Sequence, residues 1–278
     1  MKTIRASATF MGILILSACG QTTEDSFSQN MTAPKVSTLN TELTPPCPSN
    51  PILFVHGYNS GSGVWDTMKS RFMAAGYPDR CLSAFNYTPK GSNRDIAKQI
   101  MTDIETALEK AYGSGHTSSK KVDIVAVSMG SLSSRYYIRY LMKPDIIKVG
   151  TWVSLAGPNH GTKTTYLCSG SDIACTEMKP GSAFLTNSVD GLNYGGDDAE
   201  TPYDKPTAQY PTTIRYGTWR SKCDFVINPV DSVVLKQGAY NYYTPKCISH
   251  GDFVNEVNLY EEVKYFLTVG PLAKSTSP

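Results

Sequence analysis

The chain has 278 residues, of which 40% are hydrophobic and 18% charged, and its formal net charge is +2 at pH 7. This length and apolar content are sufficient for a single large α/β core. The near balance of basic and acidic side chains gives no support to nucleic-acid binding.

The first residues predict a lipoprotein signal peptide over 1–18. Met1 to Arg5 is a basic start, and the apolar run that follows is shorter than the roughly 20 residues that span a bilayer. Leu16-Ser17-Ala18-Cys19 resembles a bacterial lipobox, in which cleavage exposes Cys19 for diacylglycerol attachment. Gly20 after the cysteine, by resemblance to lipoprotein sorting, suggests the outer membrane of a Gram-negative cell. The alternative is a plain secretory signal and a secreted protein.

Residues 19–46 predict a lipidated cysteine followed by a disordered tether. The segment is polar, poor in large apolar side chains, and ends in Thr44-Pro45-Pro46. A flexible chain of this length has an r.m.s. span of roughly 30 Å. Removal of the signal peptide also removes Lys2 and Arg5, which leaves equal numbers of basic and acidic side chains. We therefore expect acyl chains on Cys19, and not charge, to hold the protein at a membrane.

The folded domain is expected at 47–278 and begins with a buried strand. Pro51 to Val55 is an apolar run that leads into His56-Gly57-Tyr58 and a glycine- and serine-rich loop. Further along, Ile96, Ile100, Ile104 and Leu108 recur every four residues, which predicts an amphipathic helix with its apolar face in the core.

Residues 122–130 carry the strongest functional signal in the chain. An apolar strand enters Ala126-Val127-Ser128-Met129-Gly130, and residues 131–141 predict a helix. A strand that turns sharply into a helix crowds the positions two before and two after the apex, so only Gly or Ala fit there. An ordinary tight turn is the alternative, because small-x-Ser-x-small strings also occur by chance. The strand, turn and helix together predict Ser128 as a nucleophile.

A serine nucleophile at this turn requires donors for a developing oxyanion. By position these are the main-chain amides of Tyr58 and Met129, about 3 Å from the oxygen of a tetrahedral intermediate. The alternative for the loop after Gly57 is a glycine-rich surface loop. His56 is predicted to be structural in either case.

The acid and base are expected after the serine, in the chain order Ser, Asp, His. Residues 212–219 predict a late strand, and Asp224 lies in the loop after it. Asp231 is the fallback acid but is predicted to cap a short helix, and Asp224 could instead be only a turn former. Of the four histidines, His250 alone follows these acids, just before a predicted final helix at 254–267. It is therefore the predicted general base, oriented by Asp224.

Residues 163–210 predict an active-site cover. They contain many Gly, Ser, Thr, Asp and Tyr residues and no long periodicity. Asp197, Asp198 and Glu200 could hold calcium, but acid clusters are more often solvated loops, so no metal is predicted.

In these motifs the chain resembles the class 2 triacylglycerol lipases, bacterial α/β-hydrolases related to the small secreted Bacillus lipases. The resemblance covers about residues 50–267 and is carried by Phe54–Gly57, Val122–Gly130, Arg135–Tyr137 and Val153–Thr162, with weaker matches at 182–185 and 198–202. It implies an α/β-hydrolase fold, a mostly parallel central sheet with helices on both faces. It also implies Ser128, Asp224 and His250 as nucleophile, acid and base. Val127 and Ser131 depart from the histidine and glycine common in relatives.

Without Cys19, six of the seven cysteines remain, and an even number in an exported protein indicates disulfides. Proximity in the implied fold favours three pairs: Cys47 with Cys81, Cys168 with Cys175, and Cys223 with Cys247. A zinc site is the less favoured alternative because no Cys-x-x-Cys pair occurs.

The expected activity is that of a serine carboxylester hydrolase acting on lipid esters or another ester, with no cofactor. Four aromatic residues are expected to wall an acyl pocket: Tyr58, Trp65, Tyr87 and Tyr166. The alternatives are an extracellular polyester (polyhydroxyalkanoate-type) depolymerase and a non-catalytic surface lipoprotein on the same fold.

Overall fold

A computed structural model describes residues 45–88, 90–196, 199–208 and 211–273. The predicted signal peptide, Cys19, most of the 19–46 segment, and both Asp197 and Asp198 lie outside the described residues. Among the residues described, no helix is long and apolar enough to cross a membrane.

A six-stranded sheet forms the centre of the domain, with strand order β2-β1-β3-β4-β5-β6. The strands are β1 (Ile52–Val55), β2 (Leu82–Ala84), β3 (Val122–Val127), β4 (Val149–Leu155), β5 (Arg215–Arg220) and β6 (Ala239–Tyr243). Every neighbouring pair is parallel. The carboxyl ends of all six strands therefore meet at one edge of the sheet, and this edge bears Ser128.

Parallel pairing requires crossover connections, and α-helices lie in the four connections between β1 and β5, while one more α-helix follows β6. These helices are α1 (Asp66–Ala74), α2 (Asn93–Tyr112), α3 (Met129–Tyr136), α4 (Ile173–Glu177), α5 (Ala183–Thr186) and α6 (Val257–Thr268). A π-helical turn, Tyr137–Leu141, continues α3, and short 3₁₀ turns include Val230–Val233 and His250–Val254. The helix predicted at 131–141 is thus an α-helix followed by a wider π-helical turn. The helix predicted at 254–267 begins at the end of a tighter 3₁₀ turn and continues as an α-helix.

Alternate residues of the central strands lie in two separate apolar cores. Ile124 and Ala126 of β3 pack in one core, and Val125 and Val127 pack in the other, as the twofold repeat of a strand requires. The first core takes the apolar face of α2, and the second takes that of α6. The expected fold, a parallel sheet with helices on both faces, is confirmed.

Three disulfides join Cys47 to Cys81, Cys168 to Cys175, and Cys223 to Cys247, with Cα separations of 5.8, 6.2 and 5.2 Å. These are the favoured pairs, and the separations fall in the usual range for disulfides. The first pair joins the start of the domain to the turn before β2. The last pair joins the loops that follow β5 and β6.

Candidate active site

Ser128 lies at the apex of the turn between β3 and α3. Its φ of 53° is in the left-handed region, which a non-glycine residue rarely adopts. A Cβ on Gly130 would lie 2.5 Å from the backbone oxygen of His56 and 2.6 Å from that of Val55. The crowding predicted around the apex therefore permits only glycine at position 130, whereas the methyl group of Ala126 packs in the core.

His250 bridges Ser128 and Asp224. Its Nε2 is 3.0 Å from Ser128 Oγ, and its Nδ1 is 2.9 Å from Asp224 Oδ2. The His250 side chain is 20% exposed and the Asp224 side chain 1% exposed. With the carboxylate ionised, Nδ1–H donates to Asp224, and Nε2 is left to accept from the serine hydroxyl. An imidazole held in this way can take a proton from the hydroxyl.

Asp224 is also a turn former. Its Oδ1 accepts hydrogen bonds from the backbone N–H groups of Val226 (2.9 Å) and Ile227 (3.1 Å). The turn bonds and the contact with His250 therefore involve different oxygens of one carboxylate.

The prediction that Asp231 caps a short helix is wrong. Pro229 occupies the cap position of the short 3₁₀ turn, and Asp231 lies inside that turn. The Asp231 carboxylate is exposed and accepts from Arg220 Nε at 3.0 Å instead of from His250.

The loop after β1 packs directly against the nucleophile turn. A Cβ on Gly57 would lie 2.9 Å from Ser128 Cβ, so a glycine is required for this close approach. His56 Nδ1–H donates to the carbonyl of Gly57 at 2.9 Å, which holds the carbonyl side of the peptide unit whose N–H belongs to Tyr58. The other predicted donor, Met129, is the first residue of α3, so its N–H has no partner within the helix.

His56 has the contacts of a structural residue. Its ring is buried and stacks on Tyr87 with centroids 3.7 Å apart. Burial lowers the pKa of His56, which favours a neutral ring at neutral pH.

Two cavities meet at Ser128, and Tyr58 and His250 line both. The larger cavity, of about 260 Å³, also has Met178, Ile227 and the Cys168–Cys175 disulfide in its mainly apolar wall. The smaller cavity, of about 140 Å³, is lined by residues that include Val127 and Val254. The departure from the family pattern at Val127 thus falls in the wall of the site. The other, Ser131, is buried and accepts a hydrogen bond from Ser154.

Three of the four expected pocket aromatics lie elsewhere, so that expectation is wrong for all but Tyr58. Trp65 is fully buried against Phe54, Tyr87 stacks on His56, and Tyr166 is 63% exposed. Trp65 and Tyr87 are buried, and Tyr166 is exposed to solvent. The sequence alone does not distinguish an aromatic residue in these positions from one that lines a cavity.

Threonines form a wall of the larger cavity that the sequence did not reveal. The hydroxyls of Thr162 and Thr164 donate to the carbonyl of Val226 at 2.6 and 2.9 Å, and that of Thr165 donates to the carbonyl of Thr162. Because these hydroxyls are satisfied by backbone acceptors, the threonines can border an apolar space. No local motif identifies them, since the contact joins segments far apart in sequence.

Glu200 is neither solvated nor available to calcium. Its side chain is buried, 3.0 Å from His160 Nε2, and accepts from the N–H of Lys236 at 2.9 Å. The expected solvated acid loop is thus wrong for Glu200, because the carboxylate is enclosed by these donors. Within the described ranges, no group of three or more His, Cys, Asp or Glu residues could hold a metal ion.

This fold and its carboxyl-edge site define an α/β-hydrolase, and comparison with known proteins defines the family. A family model described as lipase (class 2) matches residues 49–201, more than half of the chain. The chain belongs to the class 2 lipase family and is a carboxylic ester hydrolase. Asp224 and His250 lie beyond the matched segment.

Solved structures with the same fold include two lipases. The mature form of Bacillus licheniformis lipase BlEst2 has a TM-score of 0.60 and 16% identity, with 82% of this chain and 95% of that chain covered. Aspergillus fumigatus lipase B has a TM-score of 0.58 and 13% identity, with 80% and 54% covered. The Bacillus subtilis ydeN gene product has a TM-score of 0.50 and 13% identity, with 78% and 98% covered.

Proposed function

We propose that this protein hydrolyses lipid acyl esters through a triad of Ser128, His250 and Asp224. The continuous pair of hydrogen bonds from Asp224 through His250 to Ser128 carries the proposal. An activated serine requires a base within hydrogen-bond distance and a third group that orients that base. The contacts of His250 with Ser128 and with Asp224 fit both conditions.

In the proposed reaction, Ser128 Oγ attacks the acyl carbonyl carbon while its proton passes to His250 Nε2. The amides of Tyr58 and Met129 stabilise the resulting oxyanion. The ester C–O bond then breaks as His250 returns the proton to the alcohol oxygen. Water, activated by His250, attacks the acyl-enzyme and releases the carboxylic acid.

The residues around the larger cavity support the proposal that the substrate is insoluble in water. Leu167, next to cavity residue Cys168, is 93% exposed, and Phe225, between Asp224 and cavity residue Val226, is 82% exposed. Exposed apolar side chains next to cavity residues favour contact with an apolar partner. Membership of a lipase family favours aggregated lipid as the substrate. A polyester film would meet the same surface and is the second candidate.

The first test replaces members of the triad. We expect Ser128→Ala and Asp224→Asn to lower ester hydrolysis by several orders of magnitude with folding retained, because triad residues act as a unit. Asp231→Asn is the matched control and should remain active. An inactive Asp231→Asn with an active Asp224→Asn would show that the acid is assigned wrongly.

The second test compares substrates. Rates on a soluble short-chain ester, on emulsified triacylglycerol and on a polyester film distinguish lipase, simple esterase and depolymerase. A fluorophosphonate probe should label the wild type and not Ser128→Ala. Absence of labelling and of all three activities would instead support a non-catalytic surface protein.

A further inference from the structure

The Tyr58 side chain extends from the loop after β1 to the segment that covers the larger cavity. Its hydroxyl donates to Asp172 Oδ2 at 2.5 Å. This hydrogen bond joins two segments that are 114 residues apart in sequence. Tyr58 therefore has its backbone beside Ser128 and its phenol attached to the opposite wall.

Asp172 is itself held in place on the side away from Tyr58. Its Oδ1 accepts from the backbone N–H of Cys175 at 3.1 Å and so caps the start of α4. Cys175 is bonded to Cys168, seven residues earlier, so a disulfide closes the loop that carries Asp172. The Lys90 ammonium lies 3.9 Å from Asp172 Oδ2 and 5.6 Å from the centre of the Tyr58 ring.

The Tyr58 phenol is protonated, as the hydrogen bond that it donates to Asp172 requires. The hydrogen bond to Asp172, followed by burial and the negative charge of Asp172, raises the pKa of Tyr58. The phenol is therefore a neutral donor throughout the neutral pH range.

We infer that Asp172 is a positioning residue for the oxyanion hole, acting through the Tyr58 side chain. The inference rests on the proposed function, in which the Tyr58 amide is one of the two donors. The carbonyl side of the Gly57–Tyr58 peptide is held by His56, and Asp172 holds the tyrosine that follows. Without the second contact, the peptide can rotate and its N–H leaves the direction of the developing charge.

The Cys168–Cys175 disulfide belongs to the same arrangement. It restrains the loop on which Asp172 lies and borders the larger cavity. Loss of this disulfide should therefore weaken catalysis through the same Tyr58–Asp172 contact.

The test uses Tyr58→Phe, which removes only the hydroxyl, and Asp172→Asn, in which a neutral amide replaces the carboxylate that accepts from Tyr58. We expect each to lower kcat for a soluble short-chain ester about tenfold, with KM little changed, because misplacing a group by about 1 Å can cost up to 10²-fold. Affinity for phenylboronic acid, which forms a tetrahedral adduct with an active serine, should fall in parallel. Asp190→Asn is the matched control, since this cover acid pairs with Arg94, and its kcat should be unchanged.

Combined variants distinguish the positioning of Tyr58 by Asp172 from independent structural effects of each substitution. The Tyr58→Phe/Asp172→Asn double variant should be no slower than the slower single variant, because both substitutions act on one contact. The Cys168→Ser/Cys175→Ser variant should lose kcat, with little further loss when Asp172→Asn is added. Multiplicative losses would overturn the inference, because they mean that the residues act independently.

The outcomes also distinguish this inference from the proposed function. An inactive Ser128→Ala together with fully active Asp172→Asn and Tyr58→Phe overturns the inference alone. An active Ser128→Ala overturns the proposed function. Tyr58→Phe leaves the Asp172 cap on α4 intact, so it decides the question if Asp172→Asn does not fold.

Discussion

Asp224 divides its two oxygens between the backbone and the base. Oδ1 holds the turn at Val226 and Ile227, and Oδ2 faces His250. Because the two turn bonds already fix the carboxylate, the contact between Oδ2 and the His250 imidazole costs little further conformational entropy.

This division predicts different outcomes for two substitutions at Asp224. Asn retains an oxygen for the turn but turns its amide donor toward His250 Nδ1, which favours the wrong tautomer, so kcat should fall about 10⁴-fold with stability nearly kept. Ala removes the turn bonds as well and should lower the free energy of unfolding by about 1–2 kcal/mol. Urea unfolding and ester hydrolysis measure the two effects. Equal stability of the two variants would contradict the turn role.

Asp123 has a pH-dependent effect on stability at the opposite edge of the sheet. The carboxyl is fully buried and accepts from Asn50 Nδ2 at 3.0 Å, and burial raises its pKa from 3.8 to about 6. The folded pKa lies above the unfolded pKa, so folding takes up a proton between these values. The stability contributed by Asp123 is complete below pH 3.8 and is lost as the pH rises through about 6.

Asp123→Asn should therefore stabilise the protein at high pH. We expect a gain in the free energy of unfolding of about 2 kcal/mol at pH 8 and a much smaller change at pH 4.5. Urea unfolding at the two pH values is the measurement. An equal effect at both would show that ionisation of Asp123 is not its cause.

At the scale of elements, the turn between β3 and α3 depends on its contact with the end of β1. The missing side chain of Gly130 allows the carbonyls of Val55 and His56 to approach. Gly130→Ala should displace this strand end, lower the free energy of unfolding by about 1–3 kcal/mol and abolish most activity. Gly63→Ala, where a Cβ would have only an ordinary contact at 3.8 Å, is the control. Wild-type activity in Gly130→Ala would rule out this constraint.

The Cys223–Cys247 disulfide joins the loops that carry Asp224 and His250. Ser221 strengthens the junction, since its Oγ accepts from the N–H groups of Cys223 (3.2 Å) and Ile248 (2.9 Å). Cys223→Ser/Cys247→Ser should lose activity at denaturant concentrations where the fold persists, and about 3 kcal/mol of stability. The Cys47→Ser/Cys81→Ser variant should lose stability without this early loss of activity. A free thiol at Cys223 or Cys247 in a non-reduced digest would contradict the pairing.

Local patterns predicted the elements on which the site is built. The apolar runs before His56 and Ser128 became β1 and β3, and the fourfold repeat from Ile96 became α2. The walls of the cavities were not predictable, because the contacts of Thr162 and Thr164 with Val226 span more than 60 residues. Glu200 was misjudged for the same reason, since its partner His160 is 40 residues away.

At the scale of the whole molecule, membrane attachment through Cys19 remains a proposal, as does an outer-membrane location. The equal numbers of acidic and basic groups after cleavage favour attachment by acyl chains, at about 0.8 kcal/mol per buried methylene. Fractionation of cells that express the wild type and Cys19→Ala tests it. The variant should lack acyl modification and lose acyl-dependent retention, whereas identical lipidation and partitioning of both would refute the assignment.

The Cys47–Cys81 disulfide also determines where a force on the start of the domain enters the fold. Both cysteines precede the strands they adjoin, so this bond lies at the amino edge of the sheet, whereas Ser128 lies at the carboxyl edge. A pull transmitted along the chain from upstream of Cys47 acts on that amino edge and leaves the candidate active site facing the other way. Such a pull therefore enters the sheet at the end opposite the loops that carry Asp224 and His250.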